Sequence, residues 1–198
     1  SNTATTVGTG NLNTVLGKNS GKAITTMNKS TIIGSESVSI SSGEINDAIV
    51  VGYDSAKNLN LATNSLDDII IGNQSANNLD SGLRNIIIGN EAAQNLSASG
   101  TDDDNIMIGH ESGMNVRTSN NVLIGSQSGQ YVNSGTDNTF IGFNTGKGLS
   151  VNSNNDASKN VIIGKSSADK INSGNQNVII GAAAAQSITD GNENIIIG

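Results

Sequence analysis

The chain contains no cysteine, no proline and no tryptophan among its 198 residues. Without cysteine there are no disulfide staples and no zinc–thiolate sites, and the redox compartment is left open. Only Tyr53, Tyr131, Phe140 and Phe143 are aromatic. A chain so poor in large side chains cannot fill a wide globular core, although it can fill a thin one whose layers repeat. Arginine occurs only at Arg84 and Arg117, and the formal net charge is -7. That excludes a sequence-independent nucleic-acid binder, which needs a basic stripe to release counterions from phosphates. Uninterrupted apolar runs reach only three or four residues, too short to span a bilayer. No charged-then-apolar secretion signal opens the sequence.

What the sequence does contain is a phrase repeated down almost its whole length: an Asn, three apolar residues and a closing glycine. Clear copies are Asn85-Ile86-Ile87-Ile88-Gly89, Asn177-Val178-Ile179-Ile180-Gly181 and Asn194-Ile195-Ile196-Ile197-Gly198. The closing glycines are Gly17, Gly34, Gly52, Gly72, Gly89, Gly109, Gly125, Gly142, Gly164, Gly181 and Gly198, separated by 16 to 22 residues. Self-similarity at such a period indicates a solenoid in which each unit contacts only its neighbours. The expected fold is all-β: a parallel β-solenoid (β-roll) of about eleven coils with a 16–22-residue period. Residues 1–10 are expected to form an irregular or partial first coil, with Val7-Gly8 a degenerate remnant. Residues 11–198 are expected to form one repeat domain, a fragment of a longer fibrous protein.

Counting from each closing glycine, the residue one before and the residue two before are always apolar. Three before stands Ile or Val, except at Thr14, Thr31 and Thr139. Short β-branched runs bounded by Asn and Gly read as strands. Side chains alternate faces along a strand, so three apolar residues in a row ask for burial on both faces. One face points into the solenoid; the economical cover for the other is a second copy of the same chain. A homotrimer around a central axis is therefore expected. Four residues before the glycine stands Asn13, Asn85, Asn105, Asn121, Asn138, Asn160, Asn177 or Asn194, replaced elsewhere by Ser30, Ala48 and Asp68. Equivalent Asn residues in successive coils can form an amide ladder along the axis.

A second strand is expected after the glycine. It begins with small pairs such as Ser55-Ala56, Ser75-Ala76, Ala92-Ala93 and Ser128-Gly129. It ends at an aliphatic seven residues on: Ile24, Leu59, Leu79, Leu96, Val116, Val132, Leu149, Ile171 or Ile188. The second unit departs, with Ile40 one place early and Ser41 in register. Turns such as Asp80-Ser81-Gly82 and Asn172-Ser173-Gly174 follow, and length variation falls there, as at 152–159. At roughly 4.8 Å per coil, eleven coils make a rod about 50 Å long.

At Asn138-Thr139-Phe140-Ile141-Gly142-Phe143-Asn144-Thr145-Gly146 and Asn121-Val122-Leu123-Ile124-Gly125-Ser126-Gln127-Ser128-Gly129 the chain resembles two repeat families. One is the head repeat of YadA-like trimeric autotransporter adhesins, roughly Asn-Ser-Val-Ala-Ile-Gly-x-x-Ser-x-Ala. The other is the Asn-Thr-x-Ile-Gly-x-x-Ala-Gly repeat of phage and other viral tail fibres. The resemblance covers about residues 11–198. It implies a left-handed parallel β-roll assembled as a trimer and used for surface attachment. The adhesin coil is shorter, and its small residue falls one position later than Ala56, Ala76 or Ala168.

The expected function is therefore a rigid, non-enzymatic segment of an extracellular fibre on a virion or cell surface, positioning or contributing to receptor attachment. The alternative is a filament subunit stacking end to end through open strand edges. Expected partners are other copies of the chain and a host-surface glycan or protein receptor, with no nucleic acid and no membrane insertion. The variable corners at 95–104 and 151–159 are where a receptor would be sought. No catalytic, cofactor or metal residues are expected. Asp102-Asp103-Asp104 and Asp67-Asp68 read as solvated turns rather than calcium ligands, and the Gly-Asp nonapeptide of calcium β-rolls is absent. His110, the single histidine, reads as a corner residue standing where Asn73, Asn90 and Ser126 stand in other units. An ice-binding face would need a regular Thr array, and Thr14, Thr31 and Thr139 are too scattered.

Overall fold

The computed structural model describes residues 10–22, 24, 26–39, 44–58, 67–79, 83–96, 103–150 and 155–198. The Val7-Gly8 remnant, the irregular pair Ile40 and Ser41, Leu59 and the Asp80–Gly82 turn lie outside them. All regular structure among the described residues is β-strand. The strands are β1 (Thr14–Leu16), β2 (Thr26–Asn28), β3 (Thr31–Ile33), β4 (Glu44–Asn46), β5 (Ile49–Val51), β6 (Ile69–Ile71) and β7 (Ile86–Ile88). They continue with β8 (Ile106–Ile108), β9 (Val122–Ile124), β10 (Thr139–Ile141), β11 (Val161–Ile163), β12 (Val178–Ile180) and β13 (Ile195–Ile197).

Eleven of them form one parallel sheet in the order β1-β3-β5-β6-β7-β8-β9-β10-β11-β12-β13. The register is constant: Ile87 faces Met107, Met107 faces Leu123 and Leu123 faces Phe140, each the central residue of its strand. The chain is thus a parallel β-solenoid of about nine turns.

The three-residue strand divides as the pleat requires. The central residues Ile32, Val50, Ile70, Ile87, Met107, Leu123, Phe140, Ile162 and Ile179 are wholly buried, while their flanking neighbours point outward. Opposite them, Leu79, Leu96, Val116, Val132 and Ile171 close the core.

Among the described residues the expected second strand is absent from most coils. After the closing glycines the chain runs through turns, and the one further sheet among the described residues is two-stranded, between β2 and β4, just ahead of β3 and β5. The cause lies in the backbone. The second and fourth residues after the glycine take left-handed conformations, as at Gln74 (φ 54°) and Ala76 (φ 46°), so the segment cannot extend. Stacking nevertheless continues: Gln74 N–H donates to Tyr53 O at 2.9 Å in the preceding coil, and Ala76 N–H to Ala92 O at 2.9 Å in the following one. The small pair bends the chain inward as a corner rather than forming a wall.

At this corner the buried small residue is matched to the strand centre of its own coil. Gly113, Gly129 and Gly146 accompany the long or aromatic Met107, Leu123 and Phe140, whereas Ala76, Ala93 and Ala168 accompany Ile70, Ile87 and Ile162. A Cβ on Gly129 would lie 2.9 Å from both Leu123 Cδ atoms, and one on Gly146 would lie 2.9 Å from Phe140 Cγ. In these six coils a larger strand centre is offset by a smaller corner residue, whereas in the first two coils Gly21 accompanies Val15 and Val38 accompanies Ile32.

Leu149 departs from its expected place in the core wall and is 47% exposed. Its coil is the longest, with a 22-residue step against the usual 17. Inter-coil hydrogen bonding resumes at Asn155, whose carbonyl accepts from Asn133 and Ser134 as the Asn172 carbonyl accepts from Asp156 and Ala157. The inserted residues thus fall between Gly148 and Asn155, and the chain leaves the stack at Leu149. Asn155 and Ala157 are buried where it returns.

Candidate functional site

Three features run along the rod: a buried amide ladder, a polar corner stripe and an uncovered apolar face. The ladder is the expected one. Asn121 Oδ1 accepts from Asn138 N–H at 3.2 Å and from Asn138 Nδ2 at 3.1 Å. Asn138 Oδ1 accepts in the same way from Asn160 at 3.1 and 3.2 Å, and Asn160 Oδ1 from Asn177 at 2.9 and 3.0 Å. The remaining Nδ2 proton of Asn138 goes to Ala157 O at 2.8 Å, and that of Asn160 to Gly174 O at 2.8 Å. Each ladder amide, Asn105, Asn121, Asn138, Asn160 and Asn177, is used on both sides, which removes the cost of burying it.

The ladder begins on an acid, which corrects the reading of Asp67-Asp68 as a solvated turn. Asp68 is wholly buried in the Asn column, and its Oδ1 accepts from Asn85 N–H at 2.5 Å. Its other oxygen has no hydrogen-bond partner. Burial drives the Asp68 carboxyl well above the usual carboxylate range; the bonds from Asn85 oppose that shift, and the charges of Asp67 and Asp103 add to it.

Asp103 and Asp104 serve the stack rather than an ion. Arg84 grips Asp104 through two bonds of 2.7 and 2.8 Å, and Asp103 Oδ1 accepts from Leu83 N–H at 2.8 Å. The Arg84 bond holds the Asp104 carboxyl below its ordinary value. Asp102 lies outside the described residues, as do 97–102 and 151–154 of the two variable corners.

The polar stripe joins the second residue after a glycine to the fifth residue of the next coil at four levels. Lys57 Nζ lies 3.1 Å from Glu36, Gln94 Nε2 lies 3.4 Å from Gln74, Gln130 Nε2 lies 2.8 Å from Glu111, and Lys147 Nζ lies 3.2 Å from Gln127. Opposite Glu91 the fifth residue of the following coil is Met114. His110 stands at the corner position expected for it, and its Nδ1 is 3.7 Å from Glu111 Oε2. One ligand atom each from Glu91, His110 and Glu111 lie within 4.8 Å of one another. Reading His110 as isolated missed this group because one partner, Glu91, comes from the preceding coil; the signal was the column of acids two residues after each glycine.

The apolar face is built from the two outward residues of every strand. One column is Leu16, Ile33, Val51, Ile71, Ile88, Ile108, Ile124, Ile141, Ile163, Ile180 and Ile197, every member aliphatic. The other contains eight aliphatics together with Thr14, Thr31 and Thr139. Among the described residues these columns remain open to solvent: Val161 is 36% exposed, Ile71 and Ile141 37%, Ile180 38% and Ile49 42%. The strip leaves on the order of 1,000 Å² of apolar surface open to water, beyond the largest patch of a typical monomer.

Two surface depressions also occur. One of about 590 Å³ is lined by Asn11, Leu12, Asn28, Lys29, Asn46, Asp47 and Asp67. The other, of about 350 Å³, is lined by Lys165, Ser166, Ala182, Ala183 and Gln186.

No family model matches the chain, and no curated protein or solved structure matches it.

Proposed function

We propose that this chain is a structural rod that associates with copies of itself through its aliphatic strip, as a homotrimeric segment of an extracellular fibre on a virion or cell surface. The single observation that carries the reading is the strip itself. Two continuous columns of mostly β-branched side chains lie outward on a sheet that no other described residue covers. Its extent matches the ~800 Å² per partner of a standard specific interface. Three parallel rods around one axis would set the column just before the glycine of each copy against the opposite column of the next. That closed, heterologous ring buries all three strips without leaving a free one. The likeness of the repeats to trimeric adhesin heads and tail fibres supports three copies over two. In this role the stacked coils set the distance between a base and a tip, and a host-surface glycan or protein would be met at the corners or beyond the rod.

The test is to place charge in the middle of the strip. Ile88→Lys, Ile108→Lys and Ile124→Lys together leave the core residues untouched. The triple variant is expected to retain the β circular-dichroism spectrum while its light-scattering mass falls to the 20.1 kDa of one chain. A variant with unchanged multimer mass would sink the proposal. Mass growing without limit with concentration in the parent chain would instead indicate end-to-end filament stacking.

A further inference from the structure

At four levels of the polar stripe the residue two after the glycine meets a side chain from the next coil: Glu36 meets Lys57, Gln74 meets Gln94, Glu111 meets Gln130 and Gln127 meets Lys147. At Glu91 the incoming residue is Met114, a thioether with no proton to donate. Two carboxylates from successive coils, Glu91 and Glu111, therefore converge with the imidazole of His110, their ligand atoms within 4.8 Å of one another. The Glu111 side chain is only 19% exposed, and neutral amides rather than a cation meet its charge.

A second observation points at the same place. Gln130 is 4% exposed, and its amide lies against the cluster with Nε2 2.8 Å from Glu111 Oε2. Its Oε1 has no hydrogen-bond partner. A half-turn of the amide exchanges the Nε2 bond to Glu111 for an oxygen facing the cluster, an arrangement that a cation between the two oxygens would favour. Gln127 Nε2, 2.6 Å from the same Glu111 oxygen, holds the carboxylate in place from the next coil.

We propose that Glu91, His110 and Glu111, with Gln130 behind them, form a binding site for a divalent first-row transition ion such as zinc. One imidazole with two carboxylates suits such an ion better than magnesium or calcium, which take oxygen-only sets. Tetrahedral zinc at 2.0–2.2 Å from each donor needs donor atoms roughly 3.4 Å apart. The three ligand atoms must therefore close by about 1 Å, within reach of rotamer changes in side chains on the rod surface. The ion would clamp the coil of Gly89 to the coil of Gly109 where the amide and lysine contacts lapse. The site faces a corner and does not depend on how copies associate.

Other coils supply substitutions that the fold already accepts at these positions. Asn73 and Asn90 stand where His110 stands, and Gln74 and Gln127 stand where Glu91 and Glu111 stand. The full chain, stripped with a chelator, is titrated with zinc chloride by isothermal calorimetry. One saturable equivalent per chain is expected, weakened at least tenfold in both His110→Asn and Glu91→Gln and unchanged in Glu36→Gln. Circular dichroism confirms that each variant is folded, and X-ray absorption should show a nitrogen and oxygen shell. No saturable uptake by the parent chain overturns the proposal. So does uptake that both variants retain, or zinc displaced by an equal concentration of magnesium, which marks mere charge screening.

Discussion

Replacing Gly146 by Ala tests whether each coil balances its own core. A Cβ there would stand 2.9 Å from Phe140 Cγ and closer still to two other ring carbons. The backbone at Gly146 has φ 52°, and Ala168 occupies the same position with φ 43°, so the conformation itself admits alanine. Left-handed alanine costs about 1–2 kcal/mol relative to glycine, and overpacking against a ring that is wholly buried adds about 1–3 kcal/mol. Gly146→Ala is therefore expected to destabilise by about 2–5 kcal/mol. Phe140→Ile alone, which leaves a partial void above Gly146, should cost about 1–2 kcal/mol. The double variant recreates the Ile162 and Ala168 pairing of the next coil, so its loss should fall short of the sum by about 1–3 kcal/mol. Urea unfolding followed by circular dichroism, with the four proteins compared at equal m, gives the coupling directly. Additive losses in the double variant would refute steric matching and leave the glycine as a purely conformational choice.

Asp68→Asn should stabilise the rod by about 1–3 kcal/mol at pH 7, because the amide supplies the donor that the ladder has at every later rung. The folded Asp68 carboxyl sits above its unfolded value, so its contribution is full below about pH 3.9 and lost as pH rises through the folded value. The difference in thermal midpoint between the Asp68→Asn variant and the parent should thus widen from acid to neutral pH; a constant difference would contradict it. Asn138→Ala orphans Asn160 N–H and Ala157 O and should cost about 2–5 kcal/mol by urea unfolding; a cost below about 1 kcal/mol would mean the ladder is incidental. Gly125→Ala forces a side chain at φ 130° to 2.6 Å from the Gly142 carbonyl carbon, and more than about 4 kcal/mol should be lost. Gly21→Ala, whose nearest neighbour would be 3.4 Å away, should cost about 1–2 kcal/mol in the same assay.

The strands, the closing glycines and the amide ladder were legible because each is a fixed residue type at a fixed distance from the next. The uncovered face was legible too, since Ile86-Ile87-Ile88 has no polar position to turn toward water. The corner was not. Ser75-Ala76 reads as small residues in a strand, and nothing in alanine announces a left-handed conformation that inter-coil hydrogen bonds impose. Leu149 misled because its spacing from Gly142 is regular while the insertion follows it. Asp68 was seen as a substitute in the Asn column, yet an acidic pair suggested solvent; the column position was the stronger signal. The pairing of large strand centres with Gly113, Gly129 and Gly146 was present in the sequence, six residues apart in each coil. Only the packed coil shows why that spacing matters. The Glu91, His110 and Glu111 group joins two coils and becomes visible once the repeats are aligned on their glycines.

Sedimentation equilibrium of the unmodified chain over a hundredfold range of concentration tests the central claim, that the outward strip is an interface between copies. A mass three times the 20.1 kDa chain, constant across the range, is the result expected. A stable monomer at the highest concentration, with its aliphatic columns open to water, would contradict it.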